Sequence, residues 1–77
     1  MLILTLRDGY SGLSVDIQVN PQQRVADTLQ ILQEAGKLWN IEWRQRKVKS
    51  LREGIFLDVQ QNYEEGNIYT GDILDLV

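Results

Sequence analysis

The sequence contains no cysteine and no histidine among its 77 residues. Without cysteine there are no disulfides and no thiolate ligands, and without histidine the commonest general base and the commonest zinc ligand are both missing. A chain of this length also buries only a small core, which leaves little room for a ligand pocket of roughly 300–1,000 Å³. We therefore predict that the protein is not an enzyme and has no catalytic site, no metal site and no cofactor.

Long apolar runs are also missing, since no stretch approaches the length of about 18 residues that indicates a membrane span. The first residues are apolar but too short for a secretory signal, and they lack its basic start and its cleavage site. A net charge of −3 disfavours nucleic acid, because phosphate is repelled unless a basic face is segregated. We expect a single cytoplasmic domain, residues 1–77, with neither a nucleic-acid partner nor direct membrane insertion.

The N-terminal part of the chain predicts a β-hairpin. Leucines alternate with Ile3 and Thr5 from Leu2 to Leu6, and apolar residues alternate with polar ones from Leu13 to Val19. This period of two is typical of strands, and the second strand is cleanly half-buried. Between these strands, residues 8–12 include two glycines, which favour a turn.

After Pro21 the apolar period becomes that of a helix. The predicted buried stripe spans about three turns, and its members are Val25, Leu29, Leu32 and Ala35. Gly36 follows the stripe, and glycine is typical of the residue just beyond a helix C-terminus. We predict one long helix, beginning between Pro21 and Arg24.

The segment Leu38–Trp43 allows two interpretations. Trp39, Ile41 and Trp43 alternate, which fits either a short strand or an irregular lid over the core. The tryptophans could anchor a partner, because tryptophan is enriched at interface hot spots, or they could complete a small core. We favour the core, with Trp39 as the more buried of the two.

The remaining residues predict three more strands. One surrounds Val48, and residues 52–54 form a turn into the next, Ile55-Phe56-Leu57. Residues 58–66 are mostly polar, and Tyr63 is their one candidate for burial, which we assign to the core. A turn at residues 70–72 precedes the last strand, Ile73–Val77.

This order of elements, β-β-α-β-β-β, predicts an α+β fold with a mixed sheet and one main helix packed on one face. We expect the first and last strands, both rich in leucine, to form a parallel central pair.

Two consecutive segments carry a resemblance to the ubiquitin superfamily, Tyr63-Glu64-Glu65-Gly66-Asn67-Ile68 and Tyr69-Thr70-Gly71-Asp72-Ile73-Leu74-Asp75-Leu76-Val77. In ubiquitin-like domains this spacing forms a short turn before the final strand. Within the superfamily the chain is most similar to the YukD/EsaB proteins, which are associated with the type VII (WXG-protein) secretion systems of Gram-positive bacteria. The matched features are the length, the opening strand, the helix spacing and Lys47-Val48-Lys49.

The resemblance implies a ubiquitin-like β-grasp domain that binds proteins, as a cytoplasmic accessory or regulatory component of such a secretion system. It does not imply covalent conjugation, because conjugated modifiers end in a flexible Gly-Gly tail and this sequence ends in Leu76-Val77. Two alternatives stay open: a ubiquitin-like domain of a larger transporter subunit, and a modifier or sulfur-carrier relative that lacks Gly-Gly.

Five of the eight basic residues fall in one short span, namely Arg44, Arg46, Lys47, Lys49 and Arg52. The simplest interpretation is a solvated strand whose lysines lie near Asp72 or Asp75, while the functional alternatives are an acidic protein partner or nucleic acid. We expect Ile3, Ile73 and Val77 to lie on the sheet face away from the helix, which is the main recognition surface of ubiquitin. The candidate partner-binding surface therefore consists of Arg46, Lys47, Lys49, Ile73 and Val77.

The acidic pairs Glu64/Glu65 and Asp72/Asp75 lack a third ligand at a useful spacing. We interpret them as a solvated loop and strand-edge charges.

Overall fold

Five strands form one mixed sheet in the computed structural model, which describes residues 1–77. In chain order the elements are β1 (Leu2–Asp8), β2 (Ser14–Val19), α1 (Val25–Glu34), a 3₁₀ helix (Trp43–Gln45), β3 (Val48–Ser50), β4 (Ile55–Phe56) and β5 (Ile73–Leu76). The predicted order β-β-α-β-β-β is confirmed, and the 3₁₀ helix is an addition to it.

The strands lie in the order β2-β1-β5-β3-β4. β5 runs parallel to β1, with Thr5 opposite Ile73, and antiparallel to β3, with Lys49 opposite Asp75. The last strand is thus bonded on both sides inside the sheet, and the predicted parallel pairing of the first and last strands is confirmed.

The core lies between α1 and one face of the sheet. Because side chains alternate along a strand, every second residue of β1 and β5 points towards the helix. The buried apolar residues are Leu4, Leu6, Val19, Val25, Ala26, Leu29, Leu38, Ile41, Trp43, Val48, Tyr63, Ile68, Leu74 and Leu76. The prediction that Tyr63 belongs to the core is confirmed, since it is 1% exposed.

The start of α1 is stabilised by a distant loop. Arg24 occupies the N-cap and makes no side-chain capping bond. Instead, the main-chain N–H groups of Val25 and Ala26 donate to the carbonyls of Gln61 (3.0 Å) and Val59 (2.8 Å). These bonds satisfy two of the donors that every helix start leaves unpaired.

The end of α1 follows the glycine signal. Gly36 has a φ of +72°, and the N–H of Lys37 donates to the carbonyl of Leu32. This left-handed residue ends the helix in the manner expected of glycine. Ala35 forms the C-cap and is exposed, so its assignment to the buried stripe is wrong.

The segment 38–43 is irregular, so the lid is the correct one of the two alternatives. Trp39 and Asn40 have φ values of +51° and +65°, and these consecutive left-handed residues break the alternation that suggested a strand. As a result Trp43 is the more buried tryptophan, at 6% exposure, whereas Trp39 is only partly buried. The prediction that Trp39 would be the more buried is therefore wrong.

Candidate protein-binding surface

The sheet face that points away from α1 is open to solvent, and we call it the open face. Ile3 on β1 and Ile73 on β5 are 50% and 36% exposed there, and Val77 beyond β5 is half-buried. Their expected position on this face is confirmed. The same alternation puts Arg7, Asp75, Lys49 and Phe56 side by side across four strands.

One part of the open face, which we call the lysine surface, consists of Lys47, Lys49, Phe56, Ile73 and Val77. Lys49 lies opposite Phe56 in the β3–β4 ladder, and Lys47 exchanges both main-chain bonds with Val77 at 2.7 and 2.8 Å. The Nζ atoms of Lys47 and Lys49 lie 5.5 and 5.8 Å from the centroid of the Phe56 ring. These distances are typical of cation–π contacts, so the exposed ring holds both ammonium groups together.

The aspartate opposite Lys49 is bonded to a different cation. Asp75 lies opposite Lys49 in the ladder, as expected, but its carboxylate accepts two bonds from Arg7, from Nε at 2.5 Å and from Nη2 at 2.6 Å. Hydrogen bonding and charge from Asp75 raise the pKa of Arg7 above its ordinary value. The expected position of Lys49 near Asp75 is confirmed, but neither Lys47 nor Lys49 has a carboxylate oxygen within 4.0 Å, so neither lysine forms an ion pair.

Arg46 lies apart from the two lysines. Its Nη1 donates to Asp8 at 3.2 Å and to the carbonyl of Leu76 at 3.4 Å, and its guanidinium lies 4.6 Å from the ring centroid of Tyr10. The structure therefore brings together four of the five candidate surface residues and directs Arg46 to the end of the sheet, where Asp8 compensates its charge.

Two comparisons with known proteins found no relative: no family model matches the chain, and no curated protein matches it. A comparison with solved structures found a de novo protein designed on the basis of ubiquitin. It aligns with a TM-score of 0.78 at 24% sequence identity, over 99% of this chain and 85% of that one. This chain has a ubiquitin-like β-grasp fold.

Two carboxylates of this ubiquitin-like domain are buried, contrary to the interpretation of Asp72 and Asp75 as strand-edge charges. Asp72 is 1% exposed and Asp75 is 5% exposed. Asp72 accepts hydrogen bonds from the hydroxyl of Ser50 at 2.6 Å and from the main-chain N–H groups of Arg52 and Ile73 at 3.2 and 2.7 Å. Both aspartates therefore connect neighbouring strands of the ubiquitin-like sheet.

The clefts of this ubiquitin-like domain are small. The larger, of about 240 Å³, lies at the end of α1 and is lined by Gln33, Gly36, Leu38, Asn40, Ile41 and Glu42. The second, of about 140 Å³, lies between β2 and α1. No group of three or more acidic side chains is arranged to hold a metal ion, and none of the helices has the length and apolarity needed to cross a bilayer.

Phe56 and Arg7 are the surface residues that sequence reasoning missed. The sequence predicts a strand at Phe56, but the face of the sheet on which its ring lies depends on the register between β3 and β4, which places it opposite Lys49. Arg7 directly follows the predicted strand Leu2–Leu6 and belongs to the observed β1, and its contact with Asp75 joins residues 68 positions apart. The alternation of side chains along β1 and β5 puts Arg7 and Asp75 on the open face of a ubiquitin-like sheet. This alternation is the sequence signal from which their contact could be predicted.

Proposed function

We propose that this ubiquitin-like domain is a non-catalytic interaction module whose lysine surface docks without covalent linkage onto an acidic segment of another protein. The observation that supports this is the pair Lys47 and Lys49, which flank an exposed aromatic ring and have no carboxylate within 4.0 Å. Phe56 is 54% exposed, so the same surface offers apolar contact beside the two charges.

Charge attracts the partner to this surface, and apolar contact stabilises the complex. An exposed ion pair contributes about 0.2–1 kcal/mol, so two such pairs are too weak to hold a complex by themselves. Burial of Phe56, Ile73 and Val77 adds an apolar contribution of roughly 25 cal/mol per Å². Because the charges are exposed, we expect binding to weaken as salt is raised.

We further propose that the partner is a component of a bacterial type VII secretion system and that the domain acts in the cytoplasm as an accessory or regulatory subunit. The support is the resemblance to the YukD/EsaB proteins in the opening strand, the helix spacing and Lys47-Val48-Lys49, together with the ubiquitin-like fold. Genes for a secretion ATPase and for WXG-motif proteins beside this gene are the expected finding. Their absence would contradict the secretion role and leave the interaction role standing.

The interaction is tested with the purified cytoplasmic part of the neighbouring secretion ATPase. We expect Lys47→Glu/Lys49→Glu to weaken binding about tenfold at physiological salt, since reversing two rim charges costs roughly 1–2 kcal/mol. The single variant Lys47→Glu is compared with Lys37→Glu as its control. Lys37 is exposed just beyond α1, and both variants change the net charge by the same amount. Unchanged affinity of the double variant would refute docking through the lysine surface.

A further inference from the structure

The larger cleft lies at the end of α1, on the helix side of the sheet and away from the lysine surface. Its buried part is apolar, because Leu38 and Ile41 line it and are only 2% and 6% exposed. Its polar lining comes from Gln33, Asn40 and Glu42. Its volume of about 240 Å³ is below the roughly 300–1,000 Å³ of sites for larger ligands, so it fits only a small molecule or a single side chain.

The polar groups of this cleft are only loosely bonded to one another. Gln33 donates from Nε2 to the carbonyl of Ile41 at 3.3 Å and to Oε2 of Glu42 at 3.2 Å. Arg44 donates from Nη1 to Gln33 and to Glu42, at 3.4 Å in both cases. These distances lie at or beyond the limit of about 3.2 Å that is usual for N–H···O bonds. A donor placed inside the cleft would therefore bond more closely to the same oxygens.

Asn40 contributes an unpaired amide to the cleft through a strained turn. Neither its side-chain amide nor its main-chain groups form a hydrogen bond within the protein. Asn40 and its neighbour Trp39 have φ values of +65° and +51°, in the left-handed region that a bulky side chain such as tryptophan rarely adopts. Strained residues of this kind are concentrated at ligand sites, where the surrounding structure holds them in place. The turn therefore presents Asn40 to the cleft with its hydrogen-bonding groups free.

The charges at this end of α1 favour a cation. A helix C-terminus carries a partial negative charge, and the last turn of α1 ends in Glu34 and contains no basic residue. Glu42 adds a full negative charge, because hydrogen bonds from the main-chain N–H of Arg44 and from a side-chain amide hold the pKa of its carboxyl below the ordinary value. Arg44 compensates this charge only in part, since its Nη2 bonds to Gln30 instead. Lys37 is exposed, forms no ion pair and does not line the cleft.

We propose that this cleft binds a primary ammonium group on a short aliphatic chain, as in a free aliphatic diamine or in the lysine side chain of another protein. An ammonium group has three N–H donors. The acceptors for them are the carboxylate of Glu42, the amide oxygen of Asn40 and the carbonyl of Gly36, which accepts no bond within the protein. The methylene groups of the ligand would cover Leu38 and Ile41. This site goes beyond the proposed function, and it takes the charge opposite to that of the lysine surface's partner.

The test uses butane-1,4-diamine in an NMR titration of the ¹⁵N-labelled protein at constant ionic strength and millimolar ligand. We expect saturable shifts of the main-chain amide signals of Gly36, Asn40 and Ile41 and of the side-chain amides of Gln33 and Asn40. Butane-1,4-diol has the same chain without the charge, and the fully methylated, quaternary diamine keeps the charge without N–H donors. Neither control compound should shift these signals at the same concentration.

A second ligand distinguishes the two sources of the ammonium group. N-acetyl-lysine methylamide carries the same aliphatic ammonium on a peptide backbone. If it binds at least as tightly as the diamine, the site is assigned to a lysine side chain of a partner protein. If it binds more weakly, the site is assigned to a free amine.

Matched variants locate the charge that attracts the ligand. Glu42→Gln should weaken diamine binding about twofold to fivefold, the loss expected for one exposed ion pair. Glu34→Gln is its control, because it removes the same charge at the same end of α1 from a residue that does not line the cleft. Arg44→Gln should tighten binding, since it removes the cation that competes for Glu42.

The role of Asn40 is tested by a glycine substitution. Asn40→Gly should weaken diamine binding without lowering stability, because glycine adopts a positive φ without strain but has no side-chain amide. Asn67→Gly is the matched control, since Asn67 also has a positive φ, of +57°, and does not line the cleft. A merely structural role of Asn40 would leave binding unchanged in both variants.

Three outcomes would overturn the proposal: equal shifts with the diol or the quaternary diamine, shifts confined to other surfaces, or full affinity in Glu42→Gln. The variant Lys47→Glu/Lys49→Glu should bind the diamine with undiminished affinity. Failure of this inference is therefore distinguishable from failure of the proposed function.

Discussion

Replacing Asp72 with alanine tests how much a buried carboxylate that accepts three hydrogen bonds stabilises the sheet. Asp72 lies in the turn before β5 and accepts bonds from Ser50 in β3, from the main chain of Arg52 in the following turn, and from its neighbour Ile73. The variant removes the carboxylate acceptor. It leaves the hydroxyl of Ser50, a residue that is 0% exposed, without a hydrogen-bond acceptor.

The magnitude follows from these bonds. A hydrogen bond to a charged group contributes about 1.5–3 kcal/mol, and a buried donor left unpaired costs roughly 1–3 kcal/mol. The Arg52 N–H lies near the surface and can bond to water after the change, so we expect Asp72→Ala to lower the free energy of unfolding by about 3–4 kcal/mol. A domain of this size has only about 4–12 kcal/mol in total. Asp72→Asn keeps one acceptor oxygen and should lose about 1–2 kcal/mol.

Urea unfolding followed by tryptophan fluorescence measures this loss, because Trp43 is buried in the folded state. Asp16→Ala is the matched control, since Asp16 is exposed and accepts only the Thr5 hydroxyl; its stability should change by no more than about 0.5 kcal/mol. In the double variant Ser50→Ala/Asp72→Ala the loss should be smaller than the sum of the single losses. A loss below about 1 kcal/mol for Asp72→Ala would show that these bonds do not stabilise the sheet.

Other side chains give further predictions. Burial raises the pKa of Tyr63 to about 12, so stability should be fully present below about pH 10, the unfolded value, and fall by about 2–3 kcal/mol as pH rises towards 12; Tyr63→Phe should abolish this fall in unfolding experiments. The main-chain N–H of Tyr10, with Ser11 and Arg46, lowers the pKa of Asp8, so its stabilisation should be lost as pH falls below about 4, and Asp8→Asn should flatten that acid limb in urea titrations. Trp43→Ala should lose about 3–5 kcal/mol and Trp39→Ala clearly less, whereas equal losses in thermal unfolding would contradict the assigned burial.

The strands and the helix could be predicted because their signals are local. The alternation of Leu13–Val19 and the glycine after residue 35 each depend on neighbouring residues, and both gave correct elements. The conformation of residues 38–43 could not be predicted in the same way. Two consecutive left-handed residues that are not glycine have no strong sequence signal. The predicted order of burial for Trp39 and Trp43 is therefore the reverse of the observed one.

The candidate surface shows the same limit. Lys47 and Lys49 could be placed on the open face from alternation alone, but their lack of an acidic partner depends on which cation bonds to Asp75. The competitor, Arg7, is distant in sequence and reaches Asp75 through the β1–β5 pairing. The depth of Asp72 depends in turn on Ser50, a residue of another strand. Such contacts between distant residues follow from the assembled sheet, so local patterns do not reveal them.

The pairing of β1 with β5 also determines how the protein can fold. Arg7 and Asp75 are 68 positions apart, so the middle of the sheet closes only after the chain has been synthesised from β1 through β5. Until then the first hairpin lacks its neighbour, and a lone hairpin is at best marginally stable in water. The entropy of closing so long a loop is lost before the contacts between leucines on the two strands compensate it. Assembly of the sheet therefore waits for β5. A nascent chain that stops short of it lacks the strand that joins the β1–β2 pair to the β3–β4 pair.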